Sequence, residues 1–173
     1  MQTPYITINL KKIEQNTRAI VDLCNKNGIS VTGVTKGTLG NPEVACAMLR
    51  GGAICIGESR LTNIERLKNG NINAPFLLMR SPHKSEVERV VKLSDISLNT
   101  EYEIMEELSN ESIKQDKIHN IIIMVDTGDL REGIWPDDLI PIVKDVSRMK
   151  GINILGLGTN LTDLNGIIPT YEN

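Results

Sequence analysis

One lysine in this sequence combines a reactive side chain with a position where chemistry is common. Lys36 ends a short β-branched segment, Ser30 to Thr35, and Gly37 follows it. We expect the ammonium group to be partly dehydrated at the mouth of a sheet. Dehydration lowers the pKa of a lysine, and the neutral amine can attack an aldehyde to form a Schiff base. A lysine at a strand end can equally extend into water, so a purely structural role stays open.

A second candidate is the segment Asp126–Gly133, which follows the most apolar predicted strand. Four of its eight residues are charged and two are glycine. The planar guanidinium group of Arg131 could bind a substrate carboxylate. The alternative is that the charged side chains satisfy one another within a turn. For Asp126 and Asp129, we expect shaping of the loop rather than substrate binding.

Other site types find little support. His83 and His119 have no cysteine or acidic partner at metal-ligand spacing, so we expect no metal site. The segment Gly156–Asn160 lacks the third glycine of a dinucleotide-binding loop. No serine lies in a nucleophile-elbow pattern, which leaves hydrolase chemistry unsupported.

Composition places the chain among soluble globular proteins, and the N-terminus leads us to expect a cytoplasmic location. It has 173 residues, 40% hydrophobic and 24% charged, with a net charge of -3. The sequence has no basic stripe of the kind that indicates nucleic-acid binding. No apolar run approaches the roughly 20 residues that span a bilayer, and the N-terminus has no secretory pattern. The three cysteines are odd in number and widely spaced, so we expect reduced, mostly buried thiols. They are Cys24, Cys46 and Cys55.

Hydrophobic periodicity predicts an α/β fold. Residues Tyr5 to Leu10 alternate as a strand does, and a helix follows from Lys11 to about Asn27. Six further strands are predicted at 30–35, 53–56, 75–79, 96–98, 118–125 and 152–156. Helices are predicted at 42–49, 58–68, 84–92 and 101–110. A further helix is predicted to follow Trp135-Pro136-Asp137-Asp138 and to run to about Met149, and 161–173 is turn-rich. This alternation implies parallel strands covered by helices, either as an open doubly wound sheet or as part of an eight-stranded barrel.

Both architectures concentrate chemistry at the carboxyl ends of the strands. The residues leaving the predicted strands are Lys36, Glu58 with Ser59, Arg80, Asn99, Asp126 with Arg131, and Asn160.

Several ordered motifs together resemble a known family. They are Val34-Thr35-Lys36-Gly37, Gly40-Asn41-Pro42-Glu43-Val44-Ala45, Ile56-Gly57-Glu58-Ser59-Arg60, Arg80-Ser81-Pro82, Ser94-Asp95-Ile96-Ser97-Leu98-Asn99, Met124 to Ile134 and Gly156 to Thr162. The chain resembles the alanine racemase superfamily over nearly its whole length. Within it, the ornithine racemase-like amino-acid racemases are the most similar branch.

This resemblance implies a cofactor and roles for three residues. The family's N-terminal domain is a (β/α)₈ barrel that binds pyridoxal 5′-phosphate. Lys36 matches the Schiff-base lysine, which also serves as an acid/base. Arg131 matches an arginine near that lysine and the substrate carboxylate. Asn160 stands where alanine racemases have a histidine and is implied in cofactor binding, whereas Gly40 stands where they have a tyrosine.

The resemblance also implies how much of a racemase is present. Residues 1–173 correspond to a truncated barrel domain of about six strands plus the extra N-terminal strand, without the C-terminal β-domain. We therefore expect a racemase of a diamino acid such as ornithine, inactive as this chain alone, and a homo-oligomer that closes the incomplete barrel. The alternatives are a non-catalytic cofactor-binding or self-associating fragment, or a cofactor-homeostasis protein. Gly57-Glu58-Ser59, where the latter usually has Gly-Glu-Asn, favours the racemases.

Overall fold

Six short parallel strands, following the chain in order, make up the sheet. The structure is a computed structural model that describes residues 4–161, 168, 170 and 171. The strands are β1 (Thr32–Val34), β2 (Cys55–Glu58), β3 (Phe76–Leu78), β4 (Ile96–Asn99), β5 (His119–Met124) and β6 (Ile152–Gly158). Their order in the sheet is β1-β2-β3-β4-β5-β6.

Helices connect successive strands, as parallel crossovers require. They are α1 (Leu10–Asn25), α2 (Pro42–Arg50), α3 (Leu61–Asn69), α4 (Val87–Leu93), α5 (Tyr102–Lys114) and α6 (Pro136–Val146). Short 3₁₀ turns lie at Lys36–Thr38 and Lys84–Glu86. The α/β class predicted from the sequence is confirmed.

Local chemistry explains where α2 begins. The Asn41 side chain accepts hydrogen bonds from the backbone amides of Glu43 and Val44 at 2.9 and 3.1 Å. Pro42 occupies the first turn, where its missing amide hydrogen is not needed. This cap matters for the site because α2 begins just after the turn that carries Lys36.

The chain divides into two compact units, residues 1–76 and 77–173. In the first unit β1 and β2 pair with Thr32 opposite Cys55 and Val34 opposite Gly57. The Ile56 amide donates to the Pro75 carbonyl at 3.0 Å. The core of this unit consists mainly of Val44, Ala45, Ala47, Ile56, Leu61, Ile64 and Leu67. Each fully buried leucine or isoleucine contributes about 1.5–3 kcal/mol.

In the second unit, β5 pairs with β4 on one side and with β6 on the other. The β5–β6 register shifts between Ile121 and Ile122. The fully buried apolar side chains of this unit include Leu78, Val90, Met105, Leu108, Ile121 and Ile123. These side chains hold the strands whose carboxyl ends carry Asn99, Asp126 and Asn160.

His119 is a buried structural residue of the second unit. Its Nε2 lies 2.9 Å from the Ser97 hydroxyl, which also accepts a hydrogen bond from the Asn99 amide group. Burial lowers the pKa of His119 to about 4, although the nearby Asp95 carboxylate acts in the opposite direction. The ring is therefore neutral near pH 7 and takes part in a polar network. Within the described ranges, no three histidine, cysteine, aspartate or glutamate side chains are grouped so that they could hold a metal ion.

The predicted N-terminal strand is wrong. Residues 5–9 form no strand, and α1 begins at Leu10. Tyr5 and Ile6 are 65% and 91% exposed. Alternation alone cannot make a strand without a neighbour to complete the backbone hydrogen bonds, and none of the described strands pairs with this segment.

The bounds of β2 and α3 also differ from the prediction, because strand pairing sets where β2 ends. The second strand, predicted at 53–56, runs from Cys55 to Glu58, and the helix predicted from Glu58 begins at Leu61. Pairing of Gly57 with Val34 extends the strand towards its carboxyl end. Most of the segment 161–173, predicted to be turn-rich, lies outside the described residues.

The three thiols are free, as predicted, but only Cys55 is buried. Cys24 and Cys46 are half-buried, so the expectation of mostly buried thiols is wrong for these two. In the part of the chain that the structure describes, no helix has the length and apolar character needed to cross a membrane.

Candidate active site

Lys36 begins the turn that follows β1. The strand ends at Val34, and the residues Lys36–Thr38 form a single 3₁₀ turn. Lys36 is exposed, which differs from the partly dehydrated ammonium group expected at a strand end. Its ammonium group makes no hydrogen bond or ion pair with any described residue. The amine is thus sterically accessible to a carbonyl compound.

The backbone of this turn is organised around Thr35. The Thr35 carbonyl accepts hydrogen bonds from the Thr38 amide at 2.9 Å and the Gly40 amide at 3.3 Å. It also accepts one from the Thr38 hydroxyl at 3.0 Å. The Thr35 amide donates to the Gly57 carbonyl of β2 at 3.2 Å. One residue therefore joins the turn to the sheet.

The far end of the turn is held by α3. Leu39 adopts a left-handed conformation, with φ of 53°, and its carbonyl accepts a hydrogen bond from Arg66 Nη1 at 2.6 Å. Gly40 follows with φ of 66°. A Cβ atom at Gly40 would lie 2.8 Å from the Asn63 carbonyl oxygen. A side chain at Gly40 would therefore meet the backbone of α3.

The loop that carries Arg131 is shaped by Asp126. The Asp126 carboxylate accepts hydrogen bonds from the backbone amides of Gly128 at 2.8 Å and Leu130 at 3.2 Å. The loop closes through the Asp126 amide, which donates to the Ile134 carbonyl at 3.0 Å. At Gly133, with φ of 141°, a Cβ atom would clash with the Asp126 nitrogen. The predicted loop-shaping role of Asp126 is confirmed.

Arg131 and Asn160 lie at the same edge of the second unit. The Asn160 amide group donates to the Glu132 carboxylate at 2.9 Å, which joins the exit of β6 to the residue after Arg131. Arg131 is exposed and borders an open depression of about 320 Å³. Ser81 and Thr100 line the same depression. Neither hydroxyl residue is distinguished by a sequence motif of its own, although both follow closely on strand ends.

Glu58 is the residue whose importance the sequence alone did not reveal. Its side chain is fully buried, and it contacts Thr35. The sequence pattern predicts only that Glu58 lies at a strand exit. Its contact with Thr35 depends on β1 and β2 being neighbours, which a single sequence does not show.

Comparison with known proteins then decides the family. The model of the alanine racemase N-terminal domain matches residues 8–170. The chain belongs to this family. The resemblance stated from the motifs is therefore confirmed, and residues 8–170 cover the turn with Lys36 and the loop with Arg131.

The relatives of this alanine racemase-type domain are longer proteins. It is 39% identical to the lysine racemase of Thermotoga maritima, over 99% of this chain and 48% of the relative. It is 35% identical to the ornithine racemase of Acetoanaerobium sticklandii, over 98% of this chain and 48% of the relative. The chain thus spans about half the length of the curated relatives it matches.

A solved structure supports the fold. The alanine racemase from Streptomyces lavendulae matches with a TM-score of 0.80 and 17% identity, over 91% of this chain and 43% of that chain. This likeness decides between the two architectures that the periodicity left open, in favour of the partial barrel.

Gly40 and Gly37 allow a direct test of how the turn is held. We expect Gly40→Ala to lower the free energy of unfolding by about 1–3 kcal/mol, because alanine meets Asn63 and is strained at positive φ. Gly37→Ala, where a Cβ atom meets nothing within 4 Å, is the matched control and should change it by less than about 0.5 kcal/mol. Urea unfolding measures both, and equal effects would contradict the proposed close packing of Gly40.

Proposed function

We propose that this domain is the cofactor-binding part of a pyridoxal 5′-phosphate-dependent amino-acid racemase. The observation that carries the proposal is the accessible amine of Lys36, fixed at the carboxyl end of β1 in a member of the alanine racemase N-terminal domain family. We further propose that the substrate is a diamino acid, because relatives at 39% and 35% identity are named lysine racemase and ornithine racemase.

Lys36 has two roles in this proposal. Its amine would hold the cofactor through a Schiff-base linkage to the cofactor aldehyde. As a free amine beside a bound amino acid, Lys36 would accept or return the proton at Cα. The cofactor, when bound, stabilises the negative charge that develops at Cα.

Arg131 and Asn160 have binding roles. The guanidinium group of Arg131 can hold the substrate carboxylate through two parallel hydrogen bonds. Asn160 contributes to cofactor binding, and its hydrogen bond to Glu132 fixes the orientation of its amide group. The hydrogen bonds of Asp126 to two loop amides hold the backbone that carries Arg131.

We also propose that this chain alone does not complete racemisation. Racemisation removes a proton from one face of Cα and returns one to the opposite face. Among the residues that the structure describes, we assign only Lys36 as an acid/base. The second group is therefore expected from the portion of the relatives that this chain does not match.

Covalent labelling tests the role of Lys36. We expect pyridoxal 5′-phosphate, followed by borohydride reduction, to modify Lys36 preferentially, as measured by peptide mass spectrometry. Lys36→Ala should reduce labelling to the level of the remaining surface lysines. Lys26→Ala, which removes another exposed lysine of the same unit, is the control and should leave Lys36 labelled as before.

Two results would count against this assignment. Equal labelling of the unsubstituted chain and Lys36→Ala would show that another residue reacts. Racemisation of ornithine, lysine or alanine by the purified 173-residue chain would overturn the inference that it is inactive alone, while supporting the reaction class.

We also infer that a second copy of the chain covers the open edge of β6. Within the described residues β6 pairs with β5 only. Its Leu155 and Leu157 side chains are 51% and 56% exposed. An unpaired strand edge with apolar side chains favours pairing with another chain.

The β6 inference predicts concentration-dependent self-association in sedimentation equilibrium. Leu157→Lys should shift the chain towards monomer, because a charged side chain on the edge opposes pairing. Ile20→Lys, at an exposed isoleucine of α1, is the control and should leave association unchanged. A chain that is monomeric throughout the concentration range would refute this inference without affecting the role of Lys36.

A further inference from the structure

Glu58 is a completely buried carboxylate with three hydrogen-bond donors. Thr35 Oγ1 donates to Oε1 at 2.6 Å. Asn63 Nδ2 and the Ser59 amide donate to Oε2 at 2.9 and 3.2 Å. A carboxylate is rarely buried unless such partners replace its lost water, because burial of an unpaired charge costs several kcal/mol. The three donors therefore compensate this carboxylate for the water that it loses on burial.

The donors belong to the two ends of the turn that carries Lys36. Thr35 immediately precedes Lys36, and it is only 1% exposed. Asn63 packs against Gly40, where the turn ends. Glu58 thus connects the residue before the turn to the helix residue that supports its end.

This arrangement restrains the backbone of Lys36. A lysine side chain carries about 2 kcal/mol of rotamer entropy, so its amine can be directed only if the backbone from which it extends is fixed. The Thr35 carbonyl already holds the turn through the Thr38 and Gly40 amides. The Glu58 hydrogen bond holds the side chain of the same threonine. Rotation of Thr35 would therefore break both this bond and the bonds that its carbonyl accepts from the turn.

We propose that Glu58 is a positioning residue, which acts through Thr35 and Asn63 to fix the turn from which Lys36 extends. The functional part rests on the proposed role of Lys36 as the Schiff-base lysine. Glu58 itself is buried beneath the turn and need not touch substrate or cofactor.

Isosteric and conservative variants separate this role from general packing. Thr35→Val removes the hydroxyl and keeps the shape, whereas Thr35→Ser keeps the hydroxyl. Glu58→Gln keeps the size and replaces one acceptor oxygen with a donor. Ser94→Ala removes a buried hydroxyl that donates to the Val90 carbonyl in the other unit, and it is the control. Urea unfolding identifies the variants that remain folded.

Amide hydrogen exchange is the first readout. We expect Thr35→Val and Glu58→Gln to speed exchange of the Thr38 and Gly40 amides relative to amides within α2. Thr35→Ser and Ser94→Ala should leave this ratio as in the unsubstituted chain. If Glu58→Gln does not fold, the comparison of Thr35→Val with Thr35→Ser decides the question. Folded Thr35→Val with unchanged exchange at both amides would overturn the proposal.

The second readout is the share of pyridoxal 5′-phosphate label found on Lys36 after borohydride reduction. We expect this share to fall in Thr35→Val and Glu58→Gln and to be retained in Thr35→Ser. Unchanged shares in variants with faster exchange would overturn the functional part. Unselective labelling of the unsubstituted chain would instead refute the Schiff-base role of Lys36, and hydrogen exchange would still decide whether Glu58 fixes the turn.

Discussion

The site depends first on one buried hydrogen bond, from the Thr35 hydroxyl to the Glu58 carboxylate. It joins the residue before Lys36 to the end of the neighbouring strand, and its length is 2.6 Å. Hydrogen bonds to charged groups contribute about 1.5–3 kcal/mol, and loss of one partner leaves the other buried without compensation. The interaction therefore couples the stability of the first unit to the geometry of the turn that presents the amine.

Close backbone packing supplies the second constraint, and it recurs in both units. Gly40 ends the turn after Lys36, and Gly133 closes the loop after Arg131, each with positive φ and with no space for a side chain. Glycine is favoured at such positions because other residues pay a steric cost there. Two residues with reactive or charged side chains are thus presented by closely packed backbone segments.

Local signals in the sequence predict much of this arrangement, but contacts between strands are not among them. Asn41-Pro42 predicts the start of α2, and the strand ends correctly mark Lys36 and Arg131 as exits. The alternation at residues 5–10 predicts a strand that does not form, because pairing depends on a neighbour. The role of Glu58 cannot be predicted for the same reason, because its contact with Thr35 forms only when β1 and β2 pair.

A double-mutant cycle between Thr35 and Glu58 tests the central claim most directly. The quantity to measure is the opening free energy of the Thr38 amide, obtained from native-state hydrogen exchange of Thr35→Val, Glu58→Gln and the double variant. The account predicts that the two substitutions are coupled by about 1–3 kcal/mol. Effects that add to within about 0.3 kcal/mol would contradict it, since they would show that the two side chains hold the turn independently.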